Sequence, residues 1–399
     1  MNSKAKYIVL LVSSVVVLYA IIGGMMGRAN PQAGSYQQLA TFMEVVQRVQ
    51  SDYVDDPIFA AAFAGAIRGM VERVDPYGGY LSPESVNFYE NFDAQTTGSI
   101  GVILAKKFDY PMIVSAVSGG PAARAGFGTG DTIEAISGES LRELNLIEVN
   151  QLLAGKPGSE VELTVIRRRR PEPETVTLMR EVVRPPAIES RIVQEKIGYL
   201  KPHSLVPGKA SEVERHLELL GDQGAAGIVL DLRNMAEGDA REAYKLANLF
   251  IESGNLGYLE GQTVERENYV ANSADVVSLL PLVVLINEGT GAAAEIAAAA
   301  ISENSRAELV GLKTFGLGSI QRLIKLEDGW ALLLSVANYY SPNGRELQKE
   351  GVEPTVEVSE TATIDPLASP KETAIETDRQ LNRAIEILTE SSRGKGKAA

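Results

Sequence analysis

The chain has 399 residues, 45% hydrophobic and 23% charged, which is enough for about two or three domains and excludes global disorder. The lack of cysteine excludes thiol nucleophiles, disulfides, Fe–S clusters and thiolate zinc sites. The net charge of -14 disfavours a nucleic-acid partner, because such partners are bound largely by clustered lysine and arginine.

The N-terminus carries the longest apolar stretch of the sequence. Twenty uncharged residues, Tyr7 to Met26, follow Lys4 and Lys6, and at 1.5 Å per residue a helix of this length spans a bilayer core. Because Gly27-Arg28-Ala29 is a poor cleavage site, we expect a retained anchor over residues 1–28 rather than a signal peptide. The positive-inside tendency then predicts a single pass through a bacterial inner membrane, with the bulk of the chain in the periplasm or extracytoplasmic space.

Residues 36–95 form a predicted helical region. Apolar residues recur at helical spacing between Tyr36 and Val74, and Asp55-Asp56-Pro57 interrupts them, so two helices are expected. They are interpreted either as a layer that packs on the next domain or as a dimerisation element. A turn is predicted at Asp75 to Gly79.

Residues 96–182 change to strand periodicity, with short strands between glycines and prolines and one helix near 145–154. A loop of Ser99, Ile100, Gly101 and Val102 is followed by GGPAARAG from Gly119 and GDTI from Gly130. This combination resembles a PDZ domain. The resemblance implies that an extended peptide adds to the sheet edge while the backbone N–H groups of the loop hold its terminal carboxylate.

Residues 183–358 have the texture of an α/β domain. Buried strands are predicted at 197–200, 227–232 and 282–286, with helices at 208–222, 242–251 and 292–302, and further strands at 307–310 and 330–339. The last segment, 359–399, is polar, with one helix near 378–388 and a disordered tail from 391.

Several motifs of this α/β region resemble one family. They are PLVVLINEGTGAAAEI from Pro281, GLKTFGLGSIQ from Gly311 and YYSPNGR from Tyr339, with DPYGGYLSP from Asp75 upstream. Together they are similar to the carboxy-terminal processing peptidases, S41 serine peptidases that join a helical region, a PDZ domain and a crotonase-like α/β core. The resemblance covers residues 36–358 and implies a mixed α/β multidomain fold. It also implies peptide or protein C-termini as partners, in a homodimer or a larger envelope complex.

The catalytic groups of that family are missing at the matching positions. The family uses a serine activated by a desolvated lysine, and these positions hold Ala292 and Leu317, while Gln321 matches the glutamine that orients the lysine. In the oxyanion region, Glu237 replaces a glycine before Gly238, and a carboxylate there would oppose a developing negative charge. No intact catalytic residue is therefore predicted. Because other positions of these motifs also differ, we interpret Ala292 as natural divergence.

Five other residues are candidates to replace the missing catalytic groups. Thr290, Lys313 and Ser319 lie two to four residues from the family positions, and His203 and His216 are the only histidines. We interpret all five as structural, and we expect no metal and no cofactor.

The leading hypothesis is an inactive, membrane-anchored S41 homologue that binds C-termini as a scaffold or adaptor. The alternatives are an active endopeptidase with a displaced nucleophile, or a structural subunit of an envelope complex.

Overall fold

A computed structural model describes residues 31–107, 109–168, 170–359 and 378–396. The predicted anchor over residues 1–28 lies outside these residues. Among the helices of the described ranges, none combines the length and apolar character needed to span a bilayer. The chain divides into two compact units, Met1–Ala66 and Ile67–Ala399.

Two helices account for the predicted helical region of the first unit and its junction with the second. Helix α1 is Pro31–Asp52 and α2 is Phe59–Val74. The break falls at residues 53–58, as expected from Pro57, which cannot donate a backbone hydrogen bond and restricts the residue before it. Within the first unit, the Phe42 and Phe63 rings lie 6.2 Å apart between centroids.

The β-rich module begins after a short strand and a helix that the sequence did not predict. These are β1, Gly79–Leu81, and α3, Pro83–Asn91, which begins with a proline after the N-cap Ser82. The predicted strands of the module are all present. They are β2 (Val102–Lys107), β3 (Tyr110–Ala116), β4 (Thr132–Ile136), β5 (Glu139–Ser140), β6 (Glu160–Arg167) and β7 (Arg170–Met179).

These strands form an antiparallel sheet in the order β2-β3-β4-β6-β7, with β5 beside β4. Two helices accompany them, α4 (Pro121–Arg124) and α5 (Leu146–Leu153). Helix α5 begins at a capping box in which Asn145 and Glu148 satisfy each other's backbone N–H groups. Within the described part of the chain, β2 lies at the edge of the sheet.

The α/β core is built on a second six-stranded sheet, in the order β17-β14-β13-β10-β9-β8. Its strands are β8 (Glu189–Ile192), β9 (Ile197–Lys201), β10 (Gly227–Asp231), β13 (Leu282–Ile286), β14 (Glu308–Gly311) and β17 (Val356–Glu357). Only the pair of β8 and β9 is antiparallel. The central strands are continuously apolar because both faces of the sheet are covered.

Helices α6 (Lys209–Asp222), α7 (Ala240–Asn248) and α8 (Ala293–Glu303) cover one face of this sheet. The other face packs against Ala384, Ile385 and Leu388 of α9, Arg379–Gly396. The prediction of an irregular tail was wrong for residues 391–396, which continue this helix, because extending a formed helix is easier than nucleating one.

A third sheet pairs β1 with β16 (Ala331–Tyr340), and β16 also pairs with β11 (Asn255–Glu260) and β15 (Ser319–Lys325). Strand β12, Glu267–Val270, completes it beside β11. Of these strands, the sequence predicted only β16.

Candidate functional site

The family positions lie on one small cavity. It has a volume of about 290 Å³ and is lined by Ala292, Leu317, Ser319 and Gln321, together with residues of the turn after α2, strand β2 and helix α5. The fold therefore brings Ala292 and Leu317, 25 residues apart in sequence, to one cavity. The cavity is bounded by the β-rich module on one side and by the α/β core on the other.

Strand topology places these two residues side by side. Ala292 follows β13 and is the N-cap of α8, whereas Leu317 follows β14, and β13 and β14 are parallel neighbours. Loops that follow the carboxyl ends of adjacent parallel strands meet at the same edge of a sheet. Ala292 and Leu317 thus lie at the edge of the sheet where ligand sites form in α/β folds.

Glu295 connects the two loops, and sequence analysis assigned it only to the apolar core helix. Its Oε2 accepts hydrogen bonds from the backbone N–H of Ala292 at 3.0 Å and of Leu317 at 2.7 Å. Its Oε1 accepts from the N–H of Gly316 at 2.5 Å and from the Thr314 hydroxyl. The side chain is fully buried, and this burial raises the pKa of Glu295 to about 7. The carboxyl group fixes the spacing of the family positions.

The backbone at Ala292 keeps an unusual conformation. Its φ of 48° and ψ of -120° lie in a region that non-glycine residues rarely adopt. The turn aims the side chain at the cavity, but a methyl group can neither attack a carbonyl nor hold a proton. The Ala292 N–H donates to Glu295, so a developing oxyanion would have to compete with a carboxylate for it.

The position of the family lysine is apolar. Leu317 packs against a buried cluster of Ala105, Val114 and Ala236 at the junction of the module and the core. The residues that line the cavity include no lysine, arginine or histidine among those described. Gln321 donates from Nε2 to the carbonyl oxygen of Tyr77 at 2.5 Å, so its amide anchors the turn after α2.

Two consecutive residues of the substituted oxyanion region, Ala236 and Glu237, lie in different environments. Ala236 lines the 290 Å³ cavity, whereas Glu237 lines a neighbouring groove of the β-rich module. Burial raises the pKa of Glu237. Gly238 has a φ of 155° and pairs with Leu205 as an isolated bridge. Glu237 lines the groove and is not among the residues that line the cavity beside Ala292.

The groove of the β-rich module has a volume of about 370 Å³. Its wall includes the predicted loop Ser99–Val102, the edge strand β2 and the helix α5. Within the described residues, the backbone N–H groups of Ile100 and Gly101 donate to no other group. Phe88 and Tyr89 of α3 and Phe92, the residue after it, also line the groove. Ile103, Ile147 and Asn150 line both the groove and the cavity, so the two adjoin each other.

Thr290 and Lys313 lie outside the cavity lining. Thr290 is fully buried, donates from Oγ1 to the Leu232 carbonyl at 2.9 Å and accepts from the Asn287 N–H at 3.0 Å. Lys313 forms an ion pair with Glu353 at 2.6 Å on the surface. Both have structural roles, as interpreted from the sequence.

Ser319 is the exception among the weighed substitutes, because it lines the cavity. Its hydroxyl lies 3.4 Å from the hydroxyl of Ser335. A hydroxyl of ordinary pKa needs an adjacent base to become a nucleophile, and no described lysine or histidine contacts it.

Neither histidine is among the residues that line the cavity. His203 contacts Glu189 at 2.9 Å, and burial is the main cause that lowers its pKa. His216 contacts the Ser190 hydroxyl at 2.6 Å. In the described ranges, no three acidic or histidine side chains cluster closely enough to hold a metal ion.

Comparisons with known proteins agree with this architecture. The model of peptidase family S41 matches residues 196–358, and a PDZ domain model matches residues 112–167. The chain is 29% identical to a carboxy-terminal-processing protease of Bartonella bacilliformis over 380 residues, covering 93% of this chain and 86% of the relative. It is 31% identical to a carboxyl-terminal-processing protease of Synechocystis sp. over 334 residues, covering 81% and 76%.

A solved structure also matches. The photosystem II D1 C-terminal processing protease superposes with a TM-score of 0.69 at 26% identity, covering 79% of this chain and 86% of that chain.

Proposed function

The chain belongs to peptidase family S41, and from this premise we propose that it is a catalytically inactive member that binds peptide or protein C-termini as a scaffold or adaptor. The observation that carries the proposal is the pairing of Ala292 with Leu317 across one cavity. The fold holds these positions through Glu295, while neither side chain can act as a nucleophile or a base.

Binding is assigned to the groove of the PDZ module. A peptide would extend the sheet along the free edge of β2, and its terminal carboxylate would accept from the N–H groups of Ile100 and Gly101. The aromatic side chains of α3 favour an apolar residue near the terminus, because burying such a side chain contributes about 1.5–3 kcal/mol. The ligand would remain uncut because the adjoining cavity lacks the reacting groups.

The cellular setting of the proposal rests on the sequence. Residues 7–26 would anchor the chain in a bacterial inner membrane, with its bulk in the periplasm. There it would act as a homodimer or within an envelope complex.

A second candidate function is supported by the position of Ser319. An active endopeptidase could use this hydroxyl if a substrate or a conformational change supplied a base. The 3.4 Å contact with Ser335 provides none, since a second hydroxyl cannot withdraw the proton at neutral pH. We therefore favour the inactive interpretation.

Peptide binding tests the proposal. The full chain in detergent micelles would be titrated with a fluorescent decapeptide that ends in alanine, in matched free-acid and amide forms. We expect the free acid to bind about tenfold more tightly, because only it supplies an anion to the loop N–H groups. Equal affinity for the two forms would contradict C-terminal recognition and favour a structural subunit whose groove is unused.

A further inference from the structure

Glu237 occupies an unusual position for an acidic side chain. The groove of the PDZ module is lined by sixteen described residues, and Glu237 is the only charged one among them. Its neighbours in the lining are apolar or neutral, including Ile100, Val102, Val117 and Val183. Glu237 lies in the loop after β10 of the α/β core, so the core contributes an acidic residue to the lining of the module's groove.

The carboxyl group has no stabilising contact of its own. Its Oε2 is buried and makes no hydrogen bond within the described residues. The pKa of Glu237 is raised, and burial is the single cause, with no nearby charge contributing. A buried carboxylate without a partner is costly, so a fold that retains one beside a binding groove leaves a favourable place for a cation.

A ligand that brought only its terminal carboxylate would add a second negative charge to the same 370 Å³ groove. Like charges in so small and apolar a space repel strongly, since low polarity strengthens Coulomb interactions. A lysine or arginine side chain on the ligand would neutralise Glu237 and supply donors to its oxygens.

We propose that Glu237 is a specificity-determining residue of the groove and selects peptides that carry a lysine or arginine within their last four residues. This inference rests on the proposed function, because it assigns the ligand class of the same groove. The preference for a basic residue would distinguish this groove from one that recognises only an apolar C-terminus.

Competition binding tests the inference. Free-acid decapeptides would carry lysine at the second, third or fourth residue from the C-terminus, with glutamine at the same position as the neutral match. They would be measured against the full chain at pH 8 and at constant ionic strength. The variants would be Glu237→Gln, which preserves shape, and Glu139→Gln, which removes an exposed charge from the same module.

For one of the three positions we expect the lysine peptide to bind about tenfold more tightly than its glutamine match. The preference should fall below about twofold in Glu237→Gln and persist in Glu139→Gln, because only Glu237 lies in the groove. The glutamine peptide should bind to Glu237→Gln at least as tightly as to the native chain, which also shows that the variant is folded.

Two results would overturn the inference while leaving the proposed function intact. One is binding of all peptides without a lysine preference, and the other is a preference that Glu237→Gln retains. Failure of every free-acid peptide to bind the native chain would instead overturn the proposed function, and the inference with it.

Discussion

Replacing Glu295 by glutamine tests whether the bridge between the family positions is a buried, proton-binding carboxyl. Burial raises the pKa of this group from an ordinary 4.5 to about 7. Its Oε2 joins Ala292 to Leu317 by accepting a hydrogen bond from the backbone N–H of each. Glutamine keeps the shape but does not titrate in this range.

The sign of the effect follows from proton linkage. A carboxyl with a raised pKa in the folded state binds its proton more tightly there than in the unfolded chain. Its contribution to the free energy of unfolding is therefore fully present below pH 4.5 and is lost as the pH rises to about 7. A rise in pKa of this size corresponds to a loss of about 3 kcal/mol.

Urea denaturation followed by circular dichroism would measure this effect between pH 4 and pH 8. The free energy of unfolding of the native chain minus that of Glu295→Gln should fall by about 3 kcal/mol as the pH rises. Taking the difference cancels groups of opposite sign, such as Asp231, whose pKa is lowered. Exposed Glu260, changed to glutamine, is the control. A difference for Glu295→Gln that is flat, or that rises with pH, would refute the reasoning.

Three further predictions concern the α/β core, the groove of the PDZ module, and an ion pair between the module and the core. Arg233→Ala leaves the fully buried Asp231 without a guanidinium partner at 2.6 Å, so it should lower the free energy of unfolding by about 3–5 kcal/mol, and an unchanged urea midpoint would contradict this. Gly101 has a φ of 74°, so Gly101→Ala should distort the loop at a cost of about 1–2 kcal/mol. Peptide binding, measured by fluorescence titration, should weaken about tenfold. Native affinity in this variant would contradict the role of the loop in binding. Arg168→Ala removes an exposed ion pair with Glu288 and should change the free energy of unfolding by less than about 1 kcal/mol. A larger loss in urea denaturation would contradict this prediction.

The elements that were predicted correctly have a strong local signal. Strands β10 and β13 read as GIVLD and LVVLI because neighbours bury both of their faces, and no polar residue interrupts the run before Asp231. The helix after Asn145 was found from its apolar spacing.

The missed elements lack such a signal. Strand β12 has three exposed residues among its four, and β15 is largely exposed, so neither shows a continuous apolar pattern. Their strand conformation comes from pairing with β11 and β16, which a local pattern does not contain.

The site was predicted in part for the same reason. Motif resemblance located Ala292 and Leu317, but Glu295 looked like one member of an apolar helix because its partners lie about twenty residues away in sequence. Glu237 was placed in the oxyanion region from its neighbours in sequence. It lines the groove of another module, a relation that only tertiary packing creates.

The measurement that tests the central claim most directly is peptide cleavage followed by mass spectrometry. The full chain would be incubated for a day with a free-acid peptide that it binds, beside Ser319→Ala and Thr290→Ala variants. The account predicts that the peptide stays intact with all three, since no nucleophile with an adjacent base lines the cavity. Cleavage by the native chain that disappears in Ser319→Ala or Thr290→Ala would contradict it and establish an active peptidase with a displaced nucleophile.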